Sequence, residues 1–260
     1  MIHETAIIDP SATIGEGVSI GPYAVIGSNC TIGEGTSLGA HVVIDRDCII
    51  GRENRIYSHA AVGGDPQDLK YAGETTTCII GDGNTVREYV TINRGTAEGG
   101  GKTVVGDNNL LMAYSHIAHD CILGNSVILA NAATLGGHVE IHDYVVVGGL
   151  TGIHQFVRIG AHAIVGALSG VGRDIPPFVT AALSRGQKRS IFGINLVGLK
   201  RRGFSKDTIE RIRKAVKLVN SVEYTVSKLI EIFETEFSDS EEVMYMAEFF
   251  KGTKRGVKRL

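Results

Sequence analysis

Residues 105–135 read VGDNNLLMAYSHIAHDCILGNSVILANAATL. Val105, Leu111, Ile117, Leu123, Leu129 and Leu135 stand six apart, and the register continues through Ile141, Val147, Ile153, Ile159, Val165 and Val171. Upstream it runs from Ile8 through Ile14, Ile20, Ile26, Ile32, Leu38, Ile44, Ile50 and Ile56 to Val62, then again through Ile80, Val86 and Ile92. An α-helix repeats near 3.6 residues and a strand at 2, so a strict period of six belongs to neither. Short fixed periods of this kind build a parallel β-helix. Each unit supplies one short flat strand and one turn. Three units close a triangular coil, so residues 18 apart lie above one another, and coils stack at about 4.8 Å. Each rung buried inside the prism contributes roughly 1.5–3 kcal/mol before chain entropy is subtracted. The glycine that follows many rungs, as in Gly15, Gly21, Gly27, Gly33 and Gly39, is expected to serve a tight corner.

Composition agrees with a core of repeated aliphatic rungs: glycine is abundant at 34 residues and tryptophan is absent. A length of 260 residues leaves room for a long solenoid and one small further unit. The net charge of −2 hides an asymmetry, because residues 1–185 carry 10 Lys/Arg against 18 Asp/Glu and residues 186–260 carry 16 against 10. A basic second unit on an acidic stem points to an anionic partner. Cys30, Cys48, Cys78 and Cys121 show no CxxC spacing and read as free thiols of a reducing compartment. The repeat starts almost at the first residue, with no apolar signal segment, and no run of 18 apolar residues occurs. A cytoplasmic protein without stable membrane insertion is expected, and no nucleic-acid partner.

The repeat breaks twice. Between Asp65 and Thr77 the rung positions fall on Asp68 and Glu74, and an unpaired charge cannot fill an apolar core. That stretch is expected to leave the coil as a loop. The run Arg94–Thr103 (RGTAEGGGKT) shifts the register by one and holds three consecutive glycines. Loops that interrupt a rigid scaffold often carry function. After Val171 the period stops, and Pro176-Pro177 marks the exit. From about residue 190 the pattern reads as helix. Ser205 is placed to cap a helix from Lys206 to about Asn220, with Ile209, Ile212, Val216 and Val219 on one face. A second helix is expected from about Val222 to Glu236, and a third behind a capping box of Ser238 and Glu241. The tail KGTKRGVKRL is basic and expected to fray. The chain therefore reads as mainly β: a parallel β-helix over 1–189 followed by a C-terminal α-helical domain over 190–260.

The 18-residue rule stacks His119 with Gly137 and Gln155, His116 with Thr134 and Gly152, and Asp120 with His138 and Phe156. His116, His119, His138, His154 and Gln155 thus share one edge on neighbouring coils, within about 10 Å, two coil spacings. None takes a rung, so their side chains face outward or sit in a turn. Such a cluster suits a general base, with Asp120 to orient an imidazole or stabilise its cation and a backbone N–H such as that of Gly137 as oxyanion donor. Some hexapeptide-repeat proteins hold zinc between subunits through three histidines. Here His138 and His142 lie across a corner, and no cysteine pair or HxH motif supports a metal, so none is expected.

Five stretches carry a resemblance: Ala113–Cys121 (AYSHIAHDC), Gln67–Glu74 (QDLKYAGE), Arg94–Thr103, His154-Gln155-Phe156 and Gly198–Phe204 (GLKRRGF). They closely resemble the acyl-[acyl-carrier-protein]–UDP-N-acetylglucosamine O-acyltransferase family, which starts lipid A synthesis in Gram-negative bacteria. The resemblance spans nearly the whole chain. It implies a left-handed β-helix, a homotrimer with active sites between subunits, and transfer of an R-3-hydroxyacyl group from acyl carrier protein to the glucosamine 3-hydroxyl without a cofactor. It further implies His119 as general base, Asp120 as its partner and the Gly137 amide as oxyanion donor. Asp68 and Lys70 would bind the sugar nucleotide, reaching a neighbouring subunit's site. His116, His138, His154 and Gln155 would line the sugar, phosphates and thioester arm, while Asn195, Arg201 and Arg202 would hold the UDP end. Ala167 matches the position that sets acyl length. Two departures from the family pattern stand out: Val197 replaces a frequent glutamate, and Lys188 lies in a longer connector, Leu183–Ser190, about where a histidine is common. Competing readings are the later N-acyltransferase of the same pathway, which usually carries an added N-terminal domain, an acetyl-CoA-dependent acetyltransferase, and an ice-binding solenoid. The last would need flat ranks of threonine that this sequence lacks. The residues leave open UDP-N-acetylglucosamine or its 3-amino analogue as acceptor.

Overall fold

A computed structural model describes residues 1–182 and 191–258. The aliphatic rungs form the interior of a three-sided, left-handed parallel β-helix. Its first face runs from strand Ile7–Ile8 to Gly170–Val171, its second from Thr13–Ile14 to Arg158–Ile159, and its third from Ser19–Ile20 to Val179–Ala181. Pairing obeys the 18-residue rule, as in Ile26 with Ile44 and Leu111 with Leu129. Rungs from Ile20 onward are essentially inaccessible to water.

The corners differ from the expectation for glycine. The left-handed backbone falls three residues after the rung; Gly17, Gly35 and Gly83 take it at three corners, and elsewhere non-glycine residues recur up each edge, Tyr23, His41 and His59 on one and Asp120, His138 and Phe156 on another. Glycine after the rung answers a different need, the close approach of the next coil. A Cβ on Gly27 would overlap the carbonyl oxygen of Asp45, and one on Gly15 would lie 2.8 Å from the amide nitrogen of Glu34.

Both breaks leave the prism at the same corner, between the first and second faces. Strand Ala61–Gly64 passes to Thr77–Ile80 on the next face, and Ile80 pairs with Ile50, so the coil itself is continuous. Residues 65–76 are an insertion at one corner. On the next coil, residues 94–101 leave between strands Thr91–Asn93 and Lys102–Val105.

Beyond the solenoid the reading as helix from about residue 190 needs correction. Strand Ile191–Ile194 pairs antiparallel with Val179–Ala181, and a short helix α1 (Leu196–Arg201) follows. Helix α2 (Lys206–Val219) is capped by Ser205, whose hydroxyl accepts from the Thr208 N–H at 3.0 Å, and it buries Ile209, Ile212, Val216 and Val219. Helix α3 (Val226–Glu236) starts later than expected because Thr225 caps it. Helix α4 (Glu241–Lys251) is preceded by Ser240 as N-cap, not Ser238. The tail is not frayed through Lys258. Asp174 N–H donates to the Gly256 carbonyl, Lys258 N–H donates to that of Asp174, and the Thr253 hydroxyl donates to the Asp174 carboxylate at 2.7 Å. The boundary expected at 189/190, the connector Leu183–Ser190 and Lys188 lie outside the described residues. Among the described residues, no helix is long and apolar enough to cross a membrane.

Coil contact at the post-rung glycine has a measurable consequence. Gly27→Ala is expected to destabilise the protein by about 1–3 kcal/mol through overpacking. Gly152→Ala, where an added methyl meets nothing within 4 Å, should leave stability unchanged. Denaturant unfolding of the two variants checks this.

Candidate active site

The corner that carries both excursions also carries the histidines. Asp120 and His138 occupy left-handed corner positions on adjacent coils, with φ of 61° and 60°. This geometry turns their side chains toward the excursions. Asp120 is wholly enclosed: its side chain is 0% exposed. One carboxylate oxygen accepts from His119 Nδ1 at 2.7 Å and from the Thr96 hydroxyl at 2.7 Å, and the other accepts from the Thr96 N–H at 2.8 Å. The Asp120 N–H donates to Thr103 Oγ1 at 2.8 Å. A side chain on Gly99 would collide with the Asp120 carboxylate, so the glycine-rich run is what lets the second excursion close over it.

A carboxylate only accepts, so His119 donates through Nδ1–H, and its Nε2 carries the free lone pair. The His119 ring lies over Gly137, where a Cβ would stand 2.5 Å from His119 Cε1. Among the described residues the Gly137 N–H has no backbone acceptor, which leaves it able to donate to a ligand. His138 meets His119 edge-on with centroids 5.2 Å apart and stacks on Phe156 at 4.4 Å. His119, Asp120 and His138 bring donor atoms within 4.8 Å of one another, the number a metal would need. The His119–Asp120 separation of 2.7 Å is a hydrogen bond, shorter than the edge of about 3.3 Å between ligands of tetrahedral zinc. The hydrogen bond instead presents His119 Nε2 as a proton acceptor backed by a buried carboxylate.

A groove of about 620 Å³ opens beside this pair, between Asp68, Thr96 and Glu98 on one side and Arg158, Gly252 and Lys254 on the other. Asp68 lines the groove of its own chain. Lys70 pairs with Glu98 at 3.0 Å with both side chains mostly in water, a contact weak enough to exchange for a ligand. His116 hydrogen-bonds Thr91 at 2.7 Å through Nδ1. His154 and Gln155 are exposed on the next coil, and His154 meets the Arg255 guanidinium of the docked tail.

Two sets of expected residues are not brought to this corner. Asn195 and Arg202 lie at the corner between the second and third faces. There the Asn195 side chain caps α1, accepting from Gly198 N–H at 2.9 Å and donating to the His162 carbonyl at 2.8 Å, and Arg202 covers Tyr144 at 4.0 Å. Arg201 is exposed beside it. Ala167 is exposed at the corner between the third and first faces. Sequence reasoning missed Thr96, Arg158, Glu140 and Lys254. Only Thr96 had a signal, its place in a glycine-rich break. Glu140 and Arg158 stand on second-face strands and gain a wall opposite them only because α4 and the tail, with Lys254, fold back: Arg158 donates to Glu140 at 2.9 Å and to the Phe249 carbonyl at 3.0 Å.

Comparison with known proteins agrees with this architecture. Residues 1–34, 11–46 and 102–137 match the bacterial transferase hexapeptide (six repeats), which places the chain among the hexapeptide-repeat transferases. Residues 174–258 match domain 2 of UDP N-acetylglucosamine O-acyltransferase. Acyl-[acyl-carrier-protein]–UDP-N-acetylglucosamine O-acyltransferases of Thermodesulfovibrio yellowstonii and Halorhodospira halophila are 49% and 48% identical over 258 residues, 99% of this chain and 99% of each relative. The UDP-N-acetylglucosamine acyltransferase structure from Campylobacter jejuni superposes with a TM-score of 0.91 at 42% identity, covering 100% of both chains. That from Francisella novicida gives 0.96 at 37% identity, covering 100% of this chain and 94% of its own. The chain belongs to the acyl-[acyl-carrier-protein]–UDP-N-acetylglucosamine O-acyltransferase family.

Burial sets the charge of the surrounding imidazoles. It holds His116 below the ordinary histidine value of 6.5, with His119 adding to the effect, and it lowers His138 although Asp120 pulls the other way. His142 and His162 are lowered by burial as well. Below pH 6.5 the unfolded chain binds protons that these folded imidazoles refuse, so their contribution to stability is complete above that pH and is lost as pH falls through the lowered folded values. The thermal midpoint is expected to fall on going from pH 7 to pH 5. His142→Gln with His162→Gln should flatten that dependence in a calorimetric series.

Proposed function

We propose that the protein transfers an R-3-hydroxyacyl group from acyl carrier protein to the 3-hydroxyl of UDP-N-acetylglucosamine, the first step of lipid A synthesis, with His119 as general base. The observation that carries this reading is the His119–Asp120 pair at 2.7 Å, with the carboxylate sealed and Nε2 left free. Nε2 takes the hydroxyl proton as the oxygen attacks the thioester carbonyl. The Gly137 N–H steadies the oxyanion of the tetrahedral intermediate. The C–S bond then breaks, and the imidazolium returns its proton to the leaving sulfur. A thioester is already activated, so base catalysis of about 10²–10⁴-fold, positioning and oxyanion stabilisation suffice without a cofactor. A covalent route through Cys121 is disfavoured, because burial pushes that thiol up to about 12 and hides it.

Asp68 and Lys70 bind the sugar nucleotide at the groove, which His138 lines, with His116, His154 and Gln155 contributing from the neighbouring coils outside its lining. Asn195, Arg201 and Arg202 take the UDP end and Ala167 limits the acyl chain. These last sets stand at the two other corners of the prism. One chain cannot apply all three corners to one substrate, but three chains side by side can, and this supports a homotrimer. The division into a solenoid of 1–189 and a helical unit of 190–260 assigns chemistry to the first and docking of the acidic acyl carrier protein to the second, whose basic excess is +6 (16 − 10). A cytoplasmic location accords with soluble substrates of this kind.

His119→Ala is expected to lower kcat by about 10²–10⁴-fold with the fold intact, and Asp120→Asn less, because an amide still orients the ring. Loss of only a few-fold with normal substrate binding would remove His119 as base. Mass spectrometry of products from both UDP-N-acetylglucosamine and its 3-amino analogue tests the acceptor. Ala167→Met should shift donor preference toward shorter acyl chains, since crowding extra methylenes costs about 1–3 kcal/mol. Competition between donors of different length reads that shift, and an unchanged profile would place the ruler elsewhere.

A further inference from the structure

The excursion 65–76 has no hydrophobic anchor in its middle. None of residues 67–75 is buried, and Leu69 at its tip is fully exposed. Apolar burial therefore does not determine where Asp68 and Lys70 stand. What ties the segment to the prism is a polar cluster around Arg94, among the largest fully buried side chains of the molecule.

Arg94 opens the second excursion, one coil above the first. Its Nη1 donates to Asp45 at 3.1 Å and to the Gly63 carbonyl, and its Nη2 donates to Asp65 and to the Tyr71 hydroxyl at 3.2 Å. Asp45 lies two coils below Arg94, Gly63 and Asp65 are the root of the first excursion one coil below, and Tyr71 is the middle of that excursion. The Tyr71 hydroxyl also accepts from Arg46 at 3.1 Å, and its own proton has acceptors in Asp65 at 3.2 Å and the Glu74 carbonyl at 3.3 Å. One planar guanidinium thus fixes two coils and the returning loop at once, a geometry an ammonium cannot copy. Beyond this cluster, Asn93 Nδ2 donates to the Asp65 carbonyl at 2.9 Å at the root of the loop, and the contacts farther out are weaker: the exposed Lys70–Glu98 pair, and a 3.3 Å hydrogen bond from Ala97 N–H to Glu74. Two residues after Arg94, Thr96 holds Asp120. A single short segment therefore sets both the loop and the partner of the base.

We propose that Arg94 is a positioning residue: through Asp65 and Tyr71 its guanidinium latches the 65–76 excursion so that Asp68 and Lys70 face the dyad. This rests on the reading of those two residues as sugar-nucleotide ligands. Buried ionic networks contribute little net stability but favour one arrangement over its alternatives, and arrangement is what this loop lacks otherwise.

Steady-state kinetics with UDP-N-acetylglucosamine varied at saturating R-3-hydroxyacyl carrier protein tests the latch in Tyr71→Phe and Arg94→Lys, beside Asp68→Ala and Lys70→Ala. Tyr71→Phe is expected to raise KM for the sugar nucleotide roughly fivefold, the worth of one hydrogen bond, and Arg94→Lys about tenfold or more. In both, kcat should stay within about twofold and KM for the carrier protein should not move. Limited trypsin digestion, which cuts after Lys70, should be faster in both latch variants. If Asp68→Ala and Lys70→Ala raise KM while Tyr71→Phe and Arg94→Lys leave it unchanged, the latch is wrong. If Asp68→Ala and Lys70→Ala leave KM unchanged, the ligand reading fails, and cleavage after Lys70 then judges the latch by itself: faster cutting supports it and an unchanged rate overturns it. Should Arg94→Lys not fold, Tyr71→Phe carries both measurements.

Discussion

Everything in this molecule depends on coil stacking upon coil with a rise fixed by backbone hydrogen bonding. Because one residue in each repeat must fill the prism and one must take the left-handed corner, the chain has little freedom to place any side chain except in relation to those 18 residues before and after it. Glycine after the rung is part of the same constraint: it keeps side chains out of the narrow gap where the next coil passes. The solenoid is rigid for this reason, and rigid elements are good supports for chemistry that needs tenths of an ångström.

The candidate active site uses the one corner where that regularity is relaxed. Two successive coils release loops there, and the next three carry Asp120, His138 and Phe156 in the corner conformation. The loops supply what a bare solenoid edge cannot, namely walls. Thr96 and Gly99 seal the Asp120 carboxylate from water, and a carboxylate held in low dielectric by three donors orients its imidazole far better than a solvated one. Opposite them stands a wall brought from the far end of the chain. Helix α4 seats Tyr245 against His142 at 2.6 Å, and the tail hydrogen-bonds Asp174. The basic C-terminal unit is thus fastened to the groove.

The separation of the expected ligands among three corners has a physical logic of its own. A triangular prism exposes convex edges, and a convex edge makes no pocket. The insertions cure this at one corner. At the corner between the third and first faces Ala167 stands exposed beside Leu168, while at the corner between the second and third faces Arg202 lies on Tyr144 and Tyr245 of α4 closes a smaller cavity over His142 and Ala161.

Much was legible before any coordinates. Strict six-residue spacing has one structural solution, so the solenoid, the stacking of His119 on Gly137 and of Asp120 beneath His138, and the extrusion of the two breaks followed from counting. The helix faces of α2 were equally plain from Ile209, Ile212, Val216 and Val219. What counting could not reach depends on contacts between segments far apart in the chain. The strand Ile191–Ile194 exists because the end of the solenoid offers an open edge, and no local pattern announces it. The tail is ordered because Asp174 presents acceptors and a donor to it, although its composition alone favours fraying. Arg94 is buried because three segments converge on its guanidinium, and Thr96 reaches Asp120 because its loop leans forward onto the next coil. The sequence by itself determined the period, and with it which residues share an edge; only the tertiary structure decided which edge residues are enclosed, since enclosure depends on where the loops and the tail come to rest.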